Sequence, residues 1–102
     1  MGNPIIDLDL HTRYVTNPNM VLRIEDDDCG LLFDPDAGEV RVLNRSAVEI
    51  WNLLDGRRSL QVLIADLGDV FDGMGPEAET QILQTIKSLI QIGAVSLSEQ
   101  NA

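Results

Sequence analysis

The sequence predicts a small α+β domain in which three helices cover one face of a sheet of short strands. Two periodicities support this class: side chains alternate with a period of two over residues 20–43, and apolar residues recur with a period of 3.6 from residue 44 onwards. Size is a third observation, since 102 residues with 44% hydrophobic side chains suffice for one core and are too few for two.

Three predicted strands form an antiparallel meander joined by tight turns. Residues 20–25 alternate between apolar and other side chains, and residues 31–33 and 39–43 are short apolar runs. Between the last two runs lies Asp-Pro-Asp-Ala-Gly at 34–38. This is a strong turn sequence, because proline presets φ and glycine accepts a positive φ.

Three predicted helices follow, each marked by residues typical of a helix end. Asn44 is placed to cap the first helix, and Gly56 to end it in the left-handed region. Ser59 is placed to cap the second helix, while Pro76 suits the first position of the third, which Gly93 ends. The predicted buried stripes are Ala47, Ile50, Trp51 and Leu54, then Leu60, Leu63, Ile64, Leu67 and Phe71, then Ile82, Leu83, Ile86, Leu89 and Ile90.

The predicted domain occupies residues 19–98 and closes with a short strand at 94–97. Residues 1–18 are interpreted as an N-terminal arm, with one short alternation at 6–10 that predicts at most an edge strand. Residues 99–102 are interpreted as a tail.

Side-chain chemistry argues against an enzyme or a metal protein. The single histidine and the single cysteine, His11 and Cys29, both lie in predicted loops without the rigidly held partners that nucleophilic catalysis needs. The acidic turn that begins at Asp34 lacks the ligand spacing of a calcium loop. The basic pair at 57–58 is interpreted as a solvated turn between helices. We therefore predict no catalytic residue, no metal and no cofactor.

Charge narrows the classes of partner. Seventeen acidic side chains against seven Lys and Arg give a formal charge of −10, which argues against nucleic acid as a partner. No apolar run approaches the ~20 residues that span a bilayer. Asp7 and Asp9 stand where a secretory signal would be basic and apolar. A cytoplasmic protein without a membrane segment is the expectation.

One central run resembles a known family. Residues 42–56, Val-Leu-Asn-Arg-Ser-Ala-Val-Glu-Ile-Trp-Asn-Leu-Leu-Asp-Gly, resemble the Leu-Asn-x-x-Ala-x-x-Ile-Trp-x-Leu-Leu-Asp-Gly signature of PqqD-like proteins. The segment 31–40, Ser59 and the apolar–Gly–apolar–apolar close at 92–95 are similar to the family as well. The resemblance covers about residues 20–97.

The resemblance implies a winged helix-turn-helix-like domain that recognises peptides and is not an enzyme. Such a recognition element serves the synthesis of ribosomally made, post-translationally modified peptides (RiPPs). It implies that the leader of a precursor peptide adds as a strand to the third strand, in a groove against the third helix, and is presented to a modifying enzyme such as a radical S-adenosylmethionine (SAM) enzyme. Whether the N-terminal arm covers that groove is left open.

The resemblance also implies where the leader would bind. The receiving strand is Glu39, Val40, Arg41, Val42 and Leu43, and the groove wall is formed either by Leu83, Lys87 and Ile90 or by Thr85, Ser88 and Ile92.

Other interpretations are also compatible with the sequence. A winged-helix DNA-binding regulator would have the same elements, but its predicted second helix, residues 60–71, carries no Lys or Arg. An acidic partner that neutralises a toxin or regulates another protein is compatible with the composition. A homodimer through the exposed third strand or a swapped arm is also compatible with the sequence, because an open strand edge favours association.

Overall fold

The protein folds into two three-stranded antiparallel sheets and three helices, as seen in a computed structural model that describes residues 8–70 and 76–99. The predicted α+β class is confirmed. In chain order the elements are β1 Arg13–Thr16, β2 Val21–Ile24, β3 Cys29–Asp34, β4 Glu39–Asn44, α1 Arg45–Leu53, β5 Asp55–Ser59, α2 Leu60–Val70, α3 Pro76–Gln91 and β6 Val95–Leu97.

The first sheet is the predicted meander, with strand order β2-β3-β4. Its β3–β4 turn begins where Asp34 Oδ1 accepts hydrogen bonds from the backbone N–H groups of Asp36 and Ala37, at 3.0 and 3.2 Å. Gly38 completes the turn with a φ of 69°. The carboxylate and the glycine therefore do what the sequence predicts, which is to reverse the chain within four residues.

The second sheet, with strand order β5-β1-β6, was not expected from the sequence. Its central strand β1 comes from the segment interpreted as an arm. The alternation at 6–10 lies partly outside the described residues. β1 pairs antiparallel with β6, with Thr16 opposite Val95, and Leu8 and Leu10 pack against the core. The N-terminal segment is therefore tied into the fold from residue 8 onwards.

Strand β5 corrects two expectations about the segment after α1. Helix α1 ends at Leu53 with Leu54 as its C-cap, so Gly56, although it has a φ of 82°, lies in β5 and does not end the helix. Arg57 and Arg58 belong to this strand and are not a solvated turn. Asp55 makes the conformation possible, because its Oδ1 accepts from the N–H groups of both arginines, at 2.9 and 3.1 Å.

Ion pairs anchor β5 to the helix that follows it. Arg58 contacts the carboxylates of Asp55 at 2.6 Å and Asp66 at 2.8 Å. Partial desolvation of Asp55 acts to raise its pKa, but the hydrogen bonds from the Arg57 and Arg58 amides and the Arg58 charge outweigh it, so the pKa is lowered. The ionised form of Asp55 is therefore the one that the fold favours.

The helices begin and end largely as predicted. Asn44 caps α1, its Oδ1 accepting from the Ala47 N–H at 2.9 Å, and the Ser59 hydroxyl accepts from the Val62 N–H at 3.3 Å. Helix α3 begins at Pro76, and Gly93 follows it with a φ of 80°. Trp51, Ile64 and Ile90 are half-buried against the core, and Phe71 lies outside the described residues. The largest fully buried side chains are Leu32, Ile50, Leu60, Leu63, Leu67 and Ile86.

Candidate functional site

Strand β4 is an edge strand. Within residues 8–70 and 76–99 it pairs only with β3, over the full register from Asp34 opposite Glu39 to Cys29 opposite Asn44. An edge strand of six residues leaves the outward N–H and C=O groups of every second residue without a ladder partner. These groups can accept a further strand.

The side chains of β4 divide between two environments. Leu43 is buried, and Arg41 forms an ion pair with Glu39 on the same side of the strand, at 3.0 Å. Val40 and Val42 project from the opposite side and are 56% and 70% exposed. A strand with exposed valines and one buried leucine is thus anchored to the core at only one point.

A cleft of about 330 Å³ opens at the C-terminal end of β4. Its floor is apolar and buried, and comes from all three helices: Ile50 of α1, Leu67 of α2 and Ile82 of α3. The remaining lining residues are Asn44, Ser46, Ala78, Gln81 and Thr85. The volume lies near the lower end of the ~300–1,000 Å³ typical of ligand sites, which suits one or two side chains of a larger ligand.

Polar groups at the rim of the cleft already take part in intramolecular hydrogen bonds. The Asn44 side-chain oxygen caps α1, as described above, and the Thr85 hydroxyl donates to the Gln81 carbonyl at 3.0 Å. Because these groups are partly satisfied, the cleft offers mainly apolar surface. The apolar floor suits an apolar side chain, while Ser46 and Gln81 add polar groups to the lining.

The structure places the predicted site residues at three levels of exposure. All five predicted β4 residues lie on the open strand, and Thr85 lines the cleft beside it. Leu83 is buried in the core, Ile90 and Ile92 pack against the core half-buried, and Lys87 is also half-buried. Ser88 is exposed.

Ser46, Ala78 and Gln81 line the cleft but were not among the predicted site residues. Ala78, Gln81 and Thr85 lie on one helical stripe, with spacings of three and four residues. Extending the predicted Thr85 flank by two turns towards the start of α3 would have included Ala78 and Gln81. Nothing in the sequence marks Ser46, because only the fold brings the start of α1 to α3.

A second concavity of about 270 Å³ surrounds Cys29 and the acidic segment before it. Asp26 Oδ1 accepts from the N–H groups of Asp28 and Cys29, at 2.8 and 3.0 Å. Partial desolvation and the Asp26 carboxylate raise the pKa of the Cys29 thiol, which disfavours the thiolate needed for nucleophilic attack. No three His, Cys, Asp or Glu side chains converge as metal ligands in the described part of the chain.

The chain is similar to a known protein family. Residues 29–95 match the family described as Coenzyme PQQ synthesis protein D (PqqD). The chain belongs to the PqqD family. The matched segment of this PqqD-family domain includes β4, the three helices and therefore the whole lining of the cleft. No curated protein matches the chain.

One solved structure shares the fold of this PqqD-family domain. It is "TbiB1 in Complex with the TbiA(beta) Leader Peptide", which is 17% identical, with a TM-score of 0.66 over 86% of this chain and 98% of that one. None of the helices in the described segments is long and apolar enough to cross a bilayer.

Proposed function

We propose that this PqqD-family domain is a non-catalytic recognition element for RiPP precursor peptides. In this proposal the leader adds as an antiparallel strand to β4, and the domain presents the peptide to a modifying enzyme, such as a radical SAM enzyme. The observation that carries the proposal is the open edge of β4 ending at an apolar cleft between the helices.

The free energies of strand addition indicate why the cleft matters. Each backbone hydrogen bond contributes ~0.5–1.5 kcal/mol net, while ordering each residue of a flexible peptide costs ~1–2 kcal/mol. These terms nearly cancel, so the edge alone does not select one precursor. Burying one Leu-sized side chain contributes ~1.5–3 kcal/mol. Since ~1.4 kcal/mol is a factor of ten in affinity, one anchor in the cleft raises affinity about 10- to 150-fold.

Strand direction determines which part of the leader holds the anchor. The cleft is next to Asn44, the last residue of β4. In an antiparallel pair the N-terminal part of the added strand lies beside the C-terminal end of its partner. The side chain that enters the cleft therefore belongs to the N-terminal half of the bound segment.

The comparisons support this proposal at the level of fold and family. Strand addition at a sheet edge is a general mode of peptide recognition in which backbone bonds hold the peptide and side-chain pockets select it. The structural neighbour is described in complex with a leader peptide. Its domain shares the architecture that gives β4 its open edge here.

Titration calorimetry with a synthetic leader tests the proposal. The leader is taken from a candidate precursor peptide, chosen among short reading frames near the gene for this chain. Thr85→Trp places an indole in the cleft, and we expect it to weaken leader binding at least tenfold, because the anchor side chain loses its space. Thermal unfolding followed by circular dichroism checks that the variant still folds.

Gln84→Trp is the matched control, since Gln84 is the neighbouring residue on α3, is exposed and does not line the cleft. We expect it to bind the leader like the wild type. Equal affinities for the wild type and Thr85→Trp would contradict the assignment of the cleft, and no binding by the folded wild type would contradict leader recognition altogether.

A further inference from the structure

The sheet β2-β3-β4 has a second, exposed face that the proposed peptide site leaves unexplained. We call it the outer face and define it by Val21, Leu31, Phe33, Val40 and Val42. These side chains form two cross-strand rows, Val21–Phe33–Val40 and Leu31–Val42. Leu32 and Leu43 point the other way, into the core.

The outer face is apolar where an antiparallel sheet of a small domain is normally polar. Val21 is 56% exposed and Phe33 is 44% exposed. Leu31, which lies between Arg23 and Val42 in the register, is half-buried. Arg23 shares this face at one corner, where it pairs with Glu25 at 3.1 Å. Adjacent exposed apolar side chains across three strands are typical of a surface that binds another protein.

The charges around the outer face indicate the chemistry of the partner. At one end of the strands lies the acidic run 26–28, and at the other lie Asp34, Asp36 and Glu39. Two copies placed face to face would bring acidic ends together in either orientation, and each copy carries a formal charge of −10. The geometry therefore favours a different protein, with an apolar centre and Lys or Arg at its border.

The outer face is continuous with the edge of β4. If the leader adds to β4, every second leader side chain projects onto this face beside Val40 and Val42, as a fourth strand. The surface of the loaded domain then differs from that of the empty domain. This step rests on the function proposed above.

We propose that the modifying enzyme docks on the outer face and contacts Val21, Phe33, Val42 and the outward side chains of the bound leader. The enzyme thereby binds the loaded domain more tightly than the empty one. By linkage, the enzyme raises the affinity of the domain for the leader by the same factor.

The experiment uses the full chain, the synthetic leader and a purified candidate modifying enzyme, chosen among the genes near the one for this chain. Enzyme affinity is measured by interferometry with and without saturating leader, for the wild type, Val21→Glu and Phe33→Glu. Leu97→Glu is the matched control, because Leu97 is 63% exposed on β6 of the other sheet. Leader affinity is measured separately for every variant.

We expect Val21→Glu and Phe33→Glu to weaken enzyme binding at least tenfold, with leader affinity within twofold of the wild type. Val21 lies on β2, two strands away from the edge that receives the leader, so the two readouts are separable. Leu97→Glu should change neither. Saturating leader should also raise the affinity of the wild-type domain for the enzyme.

Several results would overturn the docking proposal while leaving leader recognition intact. The first is that the wild type shows no detectable binding to the enzyme. The second is that neither outer-face variant changes enzyme binding, and the third is that Leu97→Glu weakens it as much as they do. A concentration-dependent dimer in sedimentation, abolished by Val21→Glu, would instead assign the outer face to a second copy of this chain. Loss of leader binding in the wild type would contradict the function proposed above, and not this docking surface alone.

Discussion

Gly56 shows how one residue fixes the second sheet. Its φ of 82° lies in the region that glycine occupies without strain, and its carbonyl accepts a hydrogen bond at 2.8 Å from the hydroxyl of Ser98, which is buried. A Cβ at this position would stand 3.1 Å from that hydroxyl oxygen. Backbone conformation and space both require glycine, at the point where β5 meets the segment after β6.

Gly56→Ala should therefore destabilise the protein more than alanine at another left-handed glycine. Gly38 has a φ of 69° with nothing within 4 Å of a built Cβ, so Gly38→Ala carries only the backbone cost of about 1–2 kcal/mol. We expect Gly56→Ala to exceed it by about 1 kcal/mol in urea unfolding, because a buried hydrogen bond is also disturbed. Equal losses would show that the Ser98 contact is unimportant.

At the scale of elements, the features that the sequence predicted correctly are those that depend only on neighbouring residues. Asn44 as an N-cap, Pro76 as a helix start and the 34–38 turn needed no knowledge of distant residues. β5 was missed because Asp55–Ser59 is polar, contains a positive φ and meets β1 with a shift in register, so pairing with a distant segment is what makes it a strand. β1 is only four residues long, and its Tyr14, Val15 and Thr16 were not interpreted as a strand although these residue types favour one.

The candidate site, too, was predictable from the sequence only in part. An open edge of β4 follows from a meander in which the third strand comes last, and among residues 8–70 and 76–99 β4 has one partner strand. The cleft did not follow, because its lining combines Asn44, Ser46, Leu67 and the start of α3. Helical periodicity indicates a face of one helix, but the place where three helices diverge depends on their packing.

Backbone methylation of the leader tests strand addition to β4. In an added strand, the N–H groups of alternate residues point towards β4 and away from it. We expect a leader N-methylated at one set of alternate positions to lose at least tenfold in affinity by calorimetry. Methylation of the other set should be tolerated. Two peptides with the same affinity would exclude a regular ladder.

At the scale of the whole molecule, its charges argue against nucleic acid as a partner. Arg23, Arg41 and Arg58 all form ion pairs with carboxylates of this chain. Helix α2, where a winged-helix regulator would carry its recognition residues, contains two aspartates and no Lys or Arg. The net charge of −10 instead favours a cationic peptide.

Association with the leader should accordingly depend on ionic strength. For a leader that carries Lys or Arg, we expect the on-rate in stopped-flow fluorescence to fall severalfold between low and high salt, with a nearly constant off-rate. The matched control is the same peptide with each Lys or Arg replaced by Gln. If both peptides associate at salt-independent rates, the acidic surface does not steer the encounter.

The pairing of β1 with β6 has a consequence for synthesis on the ribosome. Thr16 and Val95 are opposite one another, so one edge of β1 stays unpaired until residues near the end of the described chain have been translated. The meander and α1 involve only neighbouring segments and can form earlier. Until β6 leaves the exit tunnel, that edge of β1 is open to other nascent chains, and the last strand to be made is the one that shields it.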